Sequence, residues 1–275
     1  MGCEPRLQLG VSSYTLYKQW HLGAILQTHL RICRGILKRT AWAHQSYHYY
    51  DLHAGPGIYP HNGLSVKGSP IIFLENLLTV DLQCKACFFE IDDGRRTALV
   101  HHVAAYAKKS GLVLSFHGDH ERFLPCMFAG DPPKRPRKVF GLVYADPSGS
   151  TPPFALLARM FAFKWFSTLD VLIYFSATNY KRQLMAPECS TSTRLQKVLD
   201  TMNKRYWIVR EPYGQHQWTF LLGTIWTNFP VFEKLGFYRL DTPRGQKLFA
   251  KLNYTHEELR HEGIATGALD SPAVL

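Results

Sequence analysis

The sequence predicts an α/β fold: a mainly parallel, twisted sheet with helices on both faces, closed by an antiparallel C-terminal hairpin. Three observations carry this. Short β-rich runs alternate with helical stretches from residue 47 to about 204, the pattern of βαβ units whose crossovers put helices on both sides of a parallel sheet. Four successive runs end in an acid at one common edge, Asp51, Glu90, Asp119 and Asp146, and such sheets bind ligands beyond the carboxyl ends of their strands. Near the C-terminus RYWIVREP and QWTFLLGT flank a short PYGQH turn, as an antiparallel pair does.

The elements follow in order. From about Tyr14 to Arg39, Leu22, Ile25, Leu26, Leu30, Cys33, Ile36 and Leu37 recur mostly at steps of three and four, which predicts a helix. Arg31, Arg34, Lys38 and Arg39 gather toward its C-terminal end, where cations complement the helix dipole or meet a nucleic-acid backbone. YHYYDL is the first strand. After a glycine loop, Ser69-Pro70 opens the helix SPIIFLENLL, with serine as N-cap and proline at the first helical position. CFFEID is the second strand, and Asp92 or Asp93 caps the helix through RTALVHHVAAYAKK. LVLSFHGD is the third. The proline-rich basic stretch DPPKRPRK, Asp131 to Lys138, cannot hold regular structure. VFGLVYADPSG carries the fourth strand, PFALLARMFAFKWF a helix, DVLIYFSATN the fifth strand, and a helix falls near Thr193 to Lys204. The tail after about Glu258 is weakly patterned. Three parts are expected: an N-terminal helical segment packing on the core (1–46), the α/β domain (47–230) and a C-terminal extension (231–275).

Hydrophobic residues make up 46% and charged residues 19%, enough apolar material for a core, and the length suits one large α/β domain or a medium domain carrying an appendage. The net charge of +11 attracts polyanions, nucleic acid foremost, although solvated basic faces, membranes and acidic proteins share that chemistry. Six cysteines are scattered and no secretory signal or run of about 18 apolar residues accompanies them, which predicts a reduced, cytoplasmic setting and no membrane association. Cys84 and Cys87 form one C-x-x-C. A zinc site needs a second pair, so burial in a strand is the reading here. HGDH sets His117 and His120 beside Asp119, read as a polar loop and not as a metal site. No G-x-S-x-G and no Walker pattern occurs.

The strand edge carries the functional argument. Gly55 and Gly57 in HAGPG leave a bare backbone against which a ligand can lie, though a tight connection uses glycine too. Glu90 offers two coplanar acceptors for ribose hydroxyls, and Asp119 an acceptor for an adenine amino group; both also suit helix caps or solvated strand ends. Asp51 and Glu90 lie about forty residues apart, longer than the roughly twenty of a dinucleotide fingerprint, which disfavours nicotinamide.

AGPG after the first strand and ADPSG after the fourth resemble the Rossmann-like S-adenosylmethionine-dependent methyltransferases. More narrowly, DLHAGPG, KGSP, FFEID, HGD and ADPSG resemble the three-Cys-motif partner family, a phage- and bacteria-associated group. The resemblance spans roughly Tyr47 to Asn179, with a looser echo in HQWTFLLGT. It implies a Rossmann-like methyltransferase fold with a reversed edge strand. It implies that Asp51, Ala54, Gly55 and Gly57 line the methionine part of S-adenosylmethionine, that Glu90 holds the ribose, and that Asp119 with Gly118 meets the adenine. Asp146, Pro147 and Ser148 would stand where amino-methyltransferases keep their Asp/Asn-Pro-Pro-Tyr/Phe tetrapeptide. Gly149 fills the fourth place, so the ring that stacks an extruded base is missing there, and Tyr144, Phe154 or Tyr180 is left to supply it.

The leading expectation is a methyltransferase acting on nucleic acid, DNA favoured over RNA, at a base amino nitrogen, with Asp146 orienting the acceptor. It would work in the cytoplasm of a bacterial or phage-infected cell. Lys134, Arg135, Arg137 and Lys138 in the basic loop, with Phe154 and Tyr180, are the expected substrate contacts. The alternatives are a weakly active or inactive module of the same fold that binds nucleic acid or a protein partner, and a transferase that hypermodifies a base. Tyr213, Gln215 and His216 are read as turn residues, and Trp218 and Trp226 as core or interface aromatics.

Overall fold

The computed structural model describes residues 15–39, 46–61, 64–129, 139–147, 151–185, 194–212, 218–226, 230–254 and 257–258. The basic loop with Lys134, Arg135, Arg137 and Lys138 lies outside them, as do Ser148, Gly149, Tyr213, Gln215 and His216.

Among the described residues eight strands form one sheet. β1 (Tyr47–Asp51) is central, and β2 (Ile58–His61) and β3 (Leu64–Lys67) pair only with each other. β4 (Cys84–Phe89) and β6 (Phe140–Ala145) flank β1; β5 (Leu112–His117) lies beyond β4 and β7 (Leu169–Ser176) beyond β6, every pair parallel. β8 (Tyr206–Arg210) and β9 (Trp218–Thr224) form the expected antiparallel hairpin. Two strands run against the rest: β9 inside the sheet and β10 (Phe237–Arg239) at its edge, as expected of a reversed edge strand. β9 inserts between β7 and β8, antiparallel to both, and β10 closes that side. All seven residues of β9 are buried, as a strand paired on both sides and covered on both faces must be.

Helices cover both faces. α1 (Thr15–Arg39), α2 (Ser69–Leu78), α3 (Asp93–Val103) and the short α8 (Pro230–Glu233) share a core with Tyr49, Phe88 and Phe220; Tyr49 stacks on Phe73 with ring centres 3.7 Å apart. On the other face α4 (His120–Ala129), α5 (Phe154–Ala162), α6 (Ala177–Met185), α7 (Leu195–Asp200) and α9 (Pro243–Ala250) pack around Val143, Met160 and Leu221. Cys84 and Cys87, three apart on β4, fall to opposite cores, so one ion cannot bind both. No described helix is long and apolar enough to cross a membrane.

A buried ion pair fixes α1 to the sheet. His29 Nε2 lies 2.9 Å from Asp170 Oδ2 and Nδ1 2.9 Å from Tyr47 Oη. Burial opposes charge on His29, but Cys33 and Asp170 outweigh it and raise its pKa to about 10, so both ring nitrogens donate. α1 therefore runs along the sheet in one register, with its first turns at the carboxyl edge.

Several boundaries differ from expectation. α2 is capped by Gly68, and Ser69 is already helical because its hydroxyl is taken by Asp51. Of the two caps expected for α3, Asp92 serves, accepting from Arg95 N at 2.8 Å. Ala177 to Asn179, read as the end of the fifth strand, open α6. β2, β3, β10 and α9 escape the periodicity reading because each is short.

Candidate active site

The loop after β1 is stitched to both neighbouring strands: Leu52 N donates to Tyr144 O at 3.0 Å and Ala54 N to Phe89 O at 2.9 Å. Gly55 and Gly57 take φ of +62° and +81°, which side chains disfavour. A Cβ on Gly55 would also fall 1.9 Å from the Tyr59 hydroxyl, and one on Gly57 3.0 Å from Leu99. Thus the bare turn expected to face a ligand is covered at Gly55 by a phenol from β2, and Gly57 packs on α3.

That phenol stands within electrostatic reach of three of the carboxylates. Burial holds Tyr59 protonated, and the charges of Asp146, Asp51 and Glu90 add to this while Arg95 opposes it. Three strand-end acids thus act on one hydroxyl. Asp51 is fully buried and accepts from Ser69 Oγ, His53 N (3.3 Å) and Tyr49 Oη (3.4 Å). Burial raises its pKa to about 7, those hydrogen bonds resist, and Asp146 adds to the rise. In this state Asp51 braces the loop from beneath instead of lining an open cleft. Glu90 is 8% exposed and accepts Asp92 N on Oε1 at 2.9 Å; Oε2 accepts nothing among the described residues. Ile91, next in the chain, is 73% exposed.

The adenine end is looser. Asp119 accepts Glu121 N at 2.8 Å and caps α4, while Gly118 lies beside the Arg96 guanidinium. His117 stacks on Phe123 at 3.7 Å, and His120 packs against His53 at 4.8 Å. The histidines of HGDH therefore serve different neighbours.

Asp146 ends β6 in a polar knot. Its Oδ2 accepts Tyr144 Oη at 2.9 Å and Lys18 Nζ at 2.9 Å, Lys18 coming from the first turn of α1. Its backbone N donates to His53 Nδ1 at 3.3 Å. Burial and nearby His120 lower the His53 pKa to about 4, so the ring is neutral with its proton on Nε2, tying the first loop to the fourth. Pro147, Thr151, Pro152, Tyr174, Asn179 and Tyr180 line a cleft of about 10 Å³ beside it, room for one water. A roomier cavity of about 260 Å³ lies at the opposite, amino edge near Lys204, Tyr206 and Trp207, and none of Asp51, Glu90, Asp119 and Asp146 lines it.

The structure brings Asp51, Ala54, Gly55, Glu90 and Asp146 together, sets Gly57 behind the loop and Asp119 with Gly118 to one side. Of the three rings named as base stackers, Tyr144 is wholly buried, Tyr180 is 8% exposed against Phe175, and Phe154 does not line the cleft. The sequence reading missed Lys18, Tyr59, Ser69, Ile91 and Tyr174. Only Tyr59 carried a usable signal, since Asn62-Gly63 between two short β-rich runs marks a hairpin.

No family model matches this sequence, and no curated protein sequence matches it. Among solved structures the chain is similar to a methyltransferase from Pyrococcus furiosus, at 9% identity and TM-score 0.36 over 82% of this chain and 89% of that one. It is also similar to the N-terminal domain of human METTL16 in complex with SAH, at 12% and 0.43 over 82% and 76%. A third is the precorrin-6y C5,15-methyltransferase from Geobacter metallireducens GS-15, at 10% and 0.41 over 80% and 95%.

Proposed function

We propose that this chain is an S-adenosylmethionine-dependent methyltransferase that acts on an amino nitrogen of nucleic acid, as its motif resemblance to the three-Cys-motif partner family implies. One observation carries the reading: the adjacent parallel strands β4, β1 and β6 end in Glu90, Asp51 and Asp146 at one sheet edge, beside the Gly55 turn that the Tyr59 hydroxyl covers. A cluster of that charge suits a ligand with a sulfonium and an ammonium group.

The residues fit the cofactor once Tyr59 swings away on its hairpin. Glu90 Oε2 would take the ribose hydroxyls, and the exposed Ile91 side chain an adenine face. S-adenosylmethionine supplies a methyl already activated on sulfur, so the chain need only position the acceptor and exclude water. The Asp146 carboxylate, whose Oδ2 accepts Lys18 Nζ and Tyr144 Oη in this structure, would take an acceptor N–H and turn the nitrogen lone pair outward.

The same contacts favour a second reading, a module that keeps the fold and binds nucleic acid or a protein partner without turnover, because Tyr59 and Lys18 fill the positions a cofactor and acceptor would need. Calorimetry with S-adenosylhomocysteine, followed by mass spectrometry of nucleosides from DNA and RNA incubated with protein and cofactor, separates them. Binding plus a methylated base supports the enzyme; binding alone supports the module; no heat and no thermal shift at millimolar ligand removes the cofactor from both.

A further inference from the structure

The stacking ring missing at Gly149 has a replacement that none of the sequence expectations named. Tyr174, on the neighbouring strand β7, is half-buried and lines the cleft beside Pro147, Thr151 and Asn179. Trp218 and Phe220 brace it from behind, at 5.9 and 5.7 Å between ring centres. Above its face, 4.5 Å from the ring centre, stands the Lys18 ammonium, and that same nitrogen is 2.9 Å from Asp146 Oδ2. A hydrogen-bearing nitrogen already sits between a carboxylate and an aromatic face.

Resting on the methyltransferase reading, we propose that Asp146 and Tyr174 form the acceptor subsite, that it takes a flat nucleobase bearing an exocyclic amine, and that Lys18 Nζ is the resident stand-in which this amine displaces. An aminated base offers the carboxylate the same kind of N–H groups as the ammonium, and offers the ring a flat face to stack on where the ammonium offers a positive charge. The pair is also exchangeable. Lys18 and Asp146 side chains are 23% and 15% exposed, against 3% and 6% for the locked His29–Asp170 pair, and partly exposed ion pairs contribute little net stability. Ser176 and Asn179, also at the cleft, present polar groups to a base edge.

The test uses the full chain, with and without S-adenosylhomocysteine, and 9-methyladenine and 1-methylcytosine as probes. Reductive methylation of lysines, quantified residue by residue by mass spectrometry, reports whether Lys18 is held. The expected result is that a probe raises Lys18 labelling several-fold and leaves other lysines unchanged, in the wild type and in Tyr174→Phe but not in Tyr174→Leu. Lys18→Met should bind the probe about two- to fivefold tighter by saturation-transfer NMR, the factor a partly exposed ion pair is worth. Unchanged Lys18 labelling with both probes, or weaker probe binding by Lys18→Met, overturns the subsite. Calorimetry on the same samples keeps the readings apart: intact homocysteine-nucleoside binding with unchanged labelling sinks only this inference, whereas absent binding sinks the cofactor reading and leaves the labelling result to judge the subsite.

Discussion

Replacing Asp51 by Asn isolates the electrostatic cost at the heart of the site. Asp51 is wholly buried, and moving its carboxyl from 3.8 to about 7 places a penalty on the ionised form of about 4 kcal/mol, an order-of-magnitude figure. The sign follows from proton binding. Between those two values the folded state holds more protons at this site than the unfolded chain, so Asp51's contribution is intact below 3.8 and is lost as pH rises through about 7. His21, His48 and His53 act the other way: burial lowers each to about 4, so the unfolded chain binds more protons between 4 and 6.5 and stability there rises with pH. The raw pH curve mixes these effects; the difference between wild type and Asp51→Asn does not. Asn keeps a carbonyl to accept from His53 N and has nothing to ionise. Thermal unfolding followed by circular dichroism should give matching midpoints near pH 4, with the variant pulling ahead as pH rises to 8, by roughly 2 °C or more for each kcal/mol gained. A gap that stays constant over that range, or grows toward acid, would refute the buried placement of Asp51 and the reasoning built on it.

Three further outcomes are expected. Gly55→Val should abolish S-adenosylhomocysteine binding in calorimetry and lower the melting point, since its Cβ must enter a φ of +62° and collide with the Tyr59 hydroxyl. Asp146→Ala should remove methyl transfer to nucleic acid while homocysteine-nucleoside affinity changes less than about threefold, because the carboxylate serves the acceptor; a parallel collapse of affinity would place it in the cofactor site. Neutralising Lys134, Arg135, Arg137 and Lys138 should flatten the logarithmic salt dependence of DNA and RNA binding by up to about four, and an unchanged slope would take that loop out of nucleic-acid contact.

The fold was legible because its signals are local and repeated: apolar β-rich runs, helical stretches between them, and an acid at the carboxyl end of the first four. Asp51, Glu90 and Asp146 then converge because parallel neighbours present the same edge. What escaped was long-range. Lys18 reaches Asp146 across 128 positions only because the buried His29–Asp170 pair fixes the register of α1, and no local pattern announces that. Tyr174 reads as one more aromatic in a β-run until its neighbours are placed. Ser69 looks like a cap from sequence, yet a buried carboxylate claims its hydroxyl and the cap moves to Gly68. The reversed strand β9 was visible as half of a hairpin, but its position between β7 and β8 depends on sheet order, which the hairpin does not encode.

The central claim is that the acids at the strand ends close around one nucleoside-shaped site guarded by Tyr59. A crystal structure with S-adenosylhomocysteine tests it most directly. The account requires the ribose hydroxyls on Glu90 and the Tyr59 hydroxyl withdrawn from Gly55. Ligand bound elsewhere, or Tyr59 still seated over Gly55 in a saturated crystal, would contradict it.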